Sequence, residues 1–200
     1  MKPIKTIFLA LGMYTAFPLL SVHGQTDDSM NTAYQSHIFD FIQQHIPESI
    51  NYQAKWQRMT GFEHSGLHWE QFVVVYTNKG DLIYKHNFLQ YSAWFDDPED
   101  EDNEPAYKAY STGTVFIKEN YGMNNGKPGH AESVTVMIKR KPGFDPNGGD
   151  WEYMQFDKQG KKIIKGKSNN KLVKSACASC HENVAERDYI FSSIYSGASQ

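Results

Sequence analysis

Both cysteines of this 200-residue chain lie near its C-terminus, in the segment Cys177-Ala-Ser-Cys180-His181. A Cys-x-x-Cys pair fits a disulfide or a redox pair, but thioredoxin-like redox pairs belong to a βαβ pattern, which this sequence lacks. Zinc needs four ligands, and no second Cys or His pair completes the set. With the adjacent histidine, the motif fits haem attachment. The two thiols add to the vinyl groups of the haem, and the imidazole ligates its iron. The motif therefore predicts one covalently bound haem c, with a structural disulfide as the alternative.

The N-terminal residues predict export. Lys2 and Lys5 precede a mostly apolar run, Ile7–Val22, which small residues follow. This is the pattern of a secretory signal peptide, and the run is short for a membrane span, which needs about 20 residues. We expect residues 1–24 to be removed. The mature chain, residues 25–200, should be a single periplasmic or secreted domain that is not bound to a membrane.

The composition is that of an ordinary globular protein, with 40% hydrophobic, 14% aromatic and 22% charged residues. A net charge of −3 argues against nucleic acid as a partner. No internal repeat or long linker divides the chain. The residues before the haem motif are enough for one full domain.

Residue periodicity predicts a sheet of alternating, often β-branched strands. The predicted strands are Gln71–Thr77, Leu82–Tyr84, Thr114–Glu119, Ser133–Lys139, Trp151–Phe156 and Lys161–Ile164. Turn residues at Asn78–Asp81 and Asp157–Gly160 predict that the first two and the last two of these strands form hairpins.

Helical spacing occurs near the two ends of the chain. Apolar residues recur through Ser36–Ile46, and Pro47 ends that segment. After the haem motif the same spacing links Val184, Asp188, Phe191 and Tyr195. The predicted fold class is therefore α+β and β-dominant, an antiparallel sheet with flanking N- and C-terminal helices. This argues against the four-helix cytochromes c-prime.

Several short blocks follow one another in a specific order. They are Trp56–Thr60, Gly66–His68, Val75–Asn78, Gly113–Glu119, Gly149–Tyr153, Cys177–Glu182 and Asp188–Phe191. Together they resemble the cytochrome P460 family and its cytochrome c-prime-beta relatives, over nearly the whole mature chain. The resemblance implies an antiparallel sheet packed on a c-type haem, and a homodimer.

The resemblance also implies chemistry on small nitrogen species. Enzymes of the family oxidise hydroxylamine at a five-coordinate haem, and a lysine in a Gly-Thr-Val-x-x-Lys-Glu strand is crosslinked to the porphyrin. The matching residue here is Lys118. Strand alternation puts Lys118 on the same face as Thr114 and Phe116, so we expect Lys118 and Phe116 to face the haem. The alternative is that Lys118 lies at a sheet edge in solvent. Relatives with a similar lysine bind haem without a crosslink, so the crosslink does not follow from the motif.

Two departures from the family leave the enzymatic activity open. The segment Tyr110–Thr114 lacks the family's proline, and no carboxylate before Trp151 is in clear register with the family's distal proton acceptor. Asp145 and Asp150 are candidates, and each is equally explained as a turn residue.

Three functions follow from these observations. The first is oxidation of hydroxylamine or nitric oxide, with a redox partner cytochrome as electron acceptor. The second is binding of a small gas without catalysis. The third is electron transfer by a six-coordinate haem, which requires a fixed second ligand. The sequence shows no clear Met or His ligand motif, which favours the first two.

The remaining candidates are weaker. The acidic segment Asp96–Glu104 could bind Ca²⁺ or a basic redox partner, but a solvated loop is the favoured interpretation. A sixth iron ligand could come from a histidine or a methionine, although histidines more often make ordinary hydrogen bonds and methionines more often fill the core. These are His37, His45, His64, His68, His86, His130, Met123, Met137 and Met154.

Overall fold

The computed structural model describes residues 39–65 and 70–196. Its main element is a seven-stranded antiparallel sheet with the order β1-β3-β4-β5-β6-β7, in which β2 also pairs with β3. The strands are β1 (Gln57–Arg58), β2 (Glu63–Ser65), β3 (Gln71–Thr77), β4 (Val115–Asn124), β5 (Lys127–Lys139), β6 (Trp151–Asp157) and β7 (Lys162–Gly166). The β-dominant α+β class predicted from the sequence is confirmed.

The helices of the described residues are short except for one. The α-helices are α1 (Tyr52–Lys55), α2 (Asp81–Asp96), α3 (Lys171–Val173) and α4 (Ser179–His181). A π-helical turn, Lys174–Ala178, joins α3 to α4. The 3₁₀ turns are Asp40–Gln44, Pro47–Ser49, Glu101–Asn103, Pro146–Gly148 and Glu182–Arg187, the last of which directly follows α4.

The predicted hairpin between residues 71 and 84 is wrong. Residues Asp81–Asp96 form a 16-residue helix, in which Tyr84 and Asn87 are buried one turn apart. The side chain of Asn78, a predicted turn residue, donates to Gly113 O (3.0 Å) and accepts from the backbone N of Val115 (2.9 Å). Asn78 therefore connects the end of β3 to the start of β4, and the chain continues into a helix instead of a second strand.

Two predicted helices are shorter than expected. The N-terminal one is a 3₁₀ turn, Asp40–Gln44, in its described part, while residues 36–38 and the predicted signal peptide lie outside the described residues. At the C-terminus, helical structure ends at Arg187, because Asp188 and Tyr189 have positive φ angles of 52° and 64°. The recurrence through Tyr195 therefore does not mark a continuous helix.

The two faces of the sheet differ in how they are covered. One face carries a closed apolar core in which the N-terminal segment packs on the strands, with Phe39, Ile42, Ile46, Tyr52, Val74, Tyr76, Ile117 and Phe156 among its members. The other face packs against α2 and the C-terminal segment, with Tyr84, Phe116, Met137, Tyr153, Val173, Ala178 and Ile190 among its members. A cavity lies on this second side of the sheet.

A buried carboxylate lies in the closed core. Alternation along β4 turns Glu119 away from its neighbour Lys118, and the Glu119 side chain is fully buried. Its oxygens accept hydrogen bonds from Tyr52 Oη, Gln53 Nε2 (2.5 Å) and Tyr121 Oη (2.7 Å). Burial raises the pKa of Glu119, although these hydrogen bonds act in the opposite direction. The network ties helix α1 to the strand that carries Lys118.

Replacing Glu119 should change how stability depends on pH. Because the pKa of Glu119 is raised in the folded state, its stabilising contribution is complete below the unfolded value of about 4.5 and is lost as pH rises through the raised value. The glutamine of E119Q stays neutral at every pH. As pH increases, we therefore expect the free energy of unfolding to fall less in E119Q than in the native chain, as measured by urea denaturation. The exposed-site control E48Q should match the native chain. Parallel pH profiles for E119Q and the native chain would contradict the assignment.

Candidate functional site

The open face of the sheet forms one wall of a cavity with a volume of about 830 Å³. Cofactor pockets in proteins commonly have volumes of about 300–1,000 Å³. The opposite wall is the C-terminal segment, which contributes Cys177, Cys180, His181 and Phe191. The cavity is therefore of cofactor size, and it brings the sequence motif against the sheet.

The fold of the motif explains why its three reactive side chains lie together. Asn170 begins the helical segment, since its Oδ1 accepts from the backbone N of Leu172 (2.9 Å) and of Val173 (3.3 Å). Val173 and Ala178 are fully buried and anchor the segment. Positions 177, 180 and 181 then fall on one side of a helical turn. Both thiols are free and half-buried.

The environment of His181 prepares its imidazole to bind a metal. Its Nδ1 lies 2.6 Å from the carbonyl oxygen of Tyr189, and since a carbonyl can only accept, Nδ1 carries the hydrogen. Burial lowers the pKa of His181 to about 4, so the ring is neutral at physiological pH. The rings of Tyr153 and Phe191 contact it edge-on, at centroid distances of 5.7 and 5.3 Å. The Nε2 lone pair is left to act as a ligand.

Lys118 comes to the same cavity from the sheet. It lies in β4 between its register partners Val75 and Thr135, and with Phe116 it lines the cavity that also contains the two thiols and His181. Burial lowers the pKa of Lys118 to about 8, while negative charge on the nearby thiols acts in the opposite direction. A large fraction of this amine is therefore uncharged in mildly alkaline solution.

Asp145 and Asp150 are placed differently. Both lie in the loop between β5 and β6, where Asp150 Oδ1 accepts from the backbone N of Asp145 (2.8 Å). Asp145 Oδ2 accepts from the backbone N of Ser168 (2.7 Å), and a Cβ on Gly148 would lie only 2.5 Å from it. Neither carboxylate lines the cavity. The structure places them as turn residues, the alternative that the sequence left open.

The polar residues of the cavity were largely missed by the sequence analysis. Thr135 and Gln155 line it because the register aligns them with Lys118 across β4, β5 and β6. Asn120 follows Lys118 by two residues and could have been found by alternation alone. Glu63, on the edge strand β2, supplies a carboxylate that no sequence signal indicated.

The weaker candidates are distributed as follows. His64, Met137 and Met154 line the cavity, Met123 is exposed, and residues 37 and 68 lie outside the described part. His86 Nε2 lies 2.8 Å from Ala106 O. His45 and His130 are exposed.

Neither a metal-binding side-chain cluster nor a membrane-spanning helix is found in the described part of the chain. The acidic segment Asp96–Glu104 is largely exposed, and among the described residues no group of three or more His, Cys, Asp and Glu side chains could hold a metal ion. None of the described helices is both long and apolar enough to cross a bilayer.

Comparison with protein families shows which family the chain belongs to. The family model for cytochrome P460 matches residues 67–192, which is more than half of the chain. The chain belongs to the cytochrome P460 family. A comparison with curated proteins gives no match. As a cytochrome P460 protein, the chain is a haem protein with an antiparallel, β-dominant fold.

The cavity of this cytochrome P460 protein fits a haem. Two free thiols and a neutral imidazole on one helical turn would suit the attachment and ligation of a haem c. The hydroxyl of Tyr153 is buried beside them and, in the described part of the chain, has no hydrogen-bond partner. A bound group with polar substituents would satisfy such an atom.

Lys118 should titrate near pH 8 in the haem-free protein, because desolvation disfavours its ammonium form. The measurement is an NMR titration of ¹³C-methylated lysines, in which the Lys118 signal is assigned by its disappearance in K118R. A Lys118 pKa near its ordinary value of 10.5 would show that the amine lies in solvent instead of against the cavity wall.

Proposed function

We propose that this protein is an exported monohaem c-type cytochrome that binds small nitrogen species at an open iron position. The observation that carries the proposal is that Cys177, Cys180, His181 and Lys118 line one cavity of cofactor size. Residues 1–24 support export to the periplasm or beyond, as a cleavable signal peptide.

The chain's residues have distinct roles around the haem. Cys177 and Cys180 would hold it by thioether bonds, and His181 would ligate the iron through Nε2 while its Nδ1 donates to Tyr189 O. When bound, the haem would supply a redox-active iron that can bind a small ligand. Apolar cavity residues such as Phe116 limit water around that ligand.

Binding of nitric oxide or a similar small molecule agrees best with the cavity. Its sheet wall presents hydroxyl and amide groups, from Asn120, Thr135 and Gln155, which can hydrogen-bond a small polar ligand. The two carboxylates predicted as proton acceptors lie outside it. A gas-binding site requires an open iron position and no base.

Oxidation of hydroxylamine is the second candidate, and Glu63 favours it. Removing electrons from hydroxylamine releases protons, and a carboxylate at the cavity can accept them. The electrons would pass to a redox partner cytochrome. Electron transfer by a six-coordinate haem is the alternative function, with His64 or Met137 as the second ligand, whereas Met154 packs in the closed core on the other face of the sheet.

The protein should act as a homodimer. Helix α2 exposes several large apolar side chains, with relative exposures of 77% for Leu82, 65% for Phe95 and 53% for Leu89. Exposed apolar side chains on one element support an association surface. This agrees with the dimers that the family resemblance implies.

The haem attachment predicts a simple mass result. The mature protein should exceed the mass of its polypeptide by one haem, and the haem should remain bound after denaturation because thioether bonds do not break under those conditions. In the variant C177A/C180A the haem should become extractable. S179A, which changes the exposed residue between the cysteines, should retain it. Equal resistance to extraction in the double variant would overturn the attachment.

The fate of Lys118 separates the two candidate functions. We expect proteolysis of the holoprotein to yield haem that carries the Cys177–His181 peptide alone, together with no hydroxylamine turnover. A haem that carries the Lys118 peptide as well, lost in K118R, would instead favour hydroxylamine oxidation. Mass spectrometry of the haem peptides and a turnover assay with an artificial electron acceptor make the distinction.

A further inference from the structure

The chain makes an unusual corner directly after the haem motif. Asp188 and Tyr189 are consecutive non-glycine residues with φ angles of 52° and 64°. Left-handed backbone of this kind costs about 1–2 kcal/mol for a residue with a side chain, so its surroundings must hold it. The corner ends the 3₁₀ turn Glu182–Arg187, where the backbone N of Tyr189 donates to Val184 O (3.0 Å).

Three parts of the fold hold Asp188 in this corner. Its carboxylate accepts from Lys139 Nζ at 2.5 and 2.6 Å and from the backbone N of Tyr110 at 2.7 Å. Its carbonyl oxygen accepts from Trp151 Nε1 at 2.9 Å. The side chains of Lys139 and Asp188 are only 12% and 10% exposed. The ion pair is thus nearly buried, and Lys139 is fixed as well by its position 5.0 Å above the Trp151 ring.

Tyr189 is held just as closely. A Cβ on Gly149 would lie 2.5 Å from the Tyr189 ring, so the ring occupies the space that this glycine leaves. The Tyr189 hydroxyl donates to Asn147 O at 3.0 Å. The carbonyl of Tyr189 is therefore fixed in direction, and it is the atom that accepts the hydrogen bond of His181 Nδ1 at 2.6 Å.

We infer that Asp188, through its ion pair with Lys139, is a positioning residue that aims the Tyr189 carbonyl at the proximal His181. The inference rests on the proposed function, in which His181 ligates the iron. A hydrogen bond from the far nitrogen of a ligating imidazole raises the ligand's basicity and fixes its ring orientation. A more basic ligand favours ferric over ferrous iron. The corner therefore lowers the reduction potential of the haem.

If the ion pair acted only through its charges, K139M and D188N would shift the reduction potential in opposite directions. K139M leaves a negative charge near the site, whereas D188N leaves a positive one. If the pair acts by positioning, both variants loosen the corner and both raise the potential. D188N keeps an oxygen for the Tyr110 amide and a residue that tolerates left-handed backbone, so it should fold.

The experiment measures two properties of the purified holoprotein. They are the midpoint potential, by spectroelectrochemistry, and the iron–histidine stretching band of the ferrous form, by resonance Raman spectroscopy. We expect D188N and K139M each to raise the potential and lower the stretching frequency. W151F changes no charge but removes the donor to Asp188 O. It should also raise the potential and lower the stretching frequency, and it replaces K139M in the test if K139M does not fold. R140M is the matched control, because Arg140 directly follows Lys139 and pairs with Glu152, which directly follows Trp151 in β6.

The outcomes separate this inference from the proposed function. Shifts of opposite sign in D188N and K139M, or no shift in D188N and W151F, would overturn the positioning role. A ferrous spectrum that is unchanged in H181G would show that His181 is not the iron ligand, which would overturn the proposed function itself.

Discussion

The structure depends on one strand that serves two different environments. Strand β4 sends Ile117 and Glu119 into a closed core and turns Phe116 and Lys118 toward a cavity. Because the side chains of a strand alternate strictly, neither set can move without the other. The position of Lys118 is therefore determined partly by the burial of its neighbour Glu119, whose three hydrogen-bond donors lie on the far side of the sheet.

The C-terminal segment solves a related problem on the cavity side. It must present two thiols and an imidazole to the sheet, and it must also stop being helical soon afterwards. The left-handed corner at Asp188 does both, since it ends the turn and returns the Tyr189 carbonyl to His181. The resulting imidazole is neutral and oriented, which is the form that binds iron.

Much of this fold could be predicted from the sequence, for physical reasons. Strands such as Ser133–Lys139 are β-branched and alternate, so local preference and burial agree. The helix Asp81–Asp96 was missed because Asn78 resembles a turn residue, whereas its side chain bonds across to β4. In the site, only the residues of the haem motif and those placed by strand alternation could be predicted. Thr135, Gln155 and Glu63 depend on strand register, which a single sequence does not reveal.

We propose a covalently held haem with an open iron position beside Lys118. The absorption spectrum of the purified ferrous protein, before and after addition of carbon monoxide, tests it most directly. We expect a high-spin, five-coordinate spectrum that converts fully on binding carbon monoxide. A low-spin, six-coordinate ferrous spectrum across neutral pH that resists carbon monoxide would contradict it, and would identify the protein as an electron-transfer cytochrome.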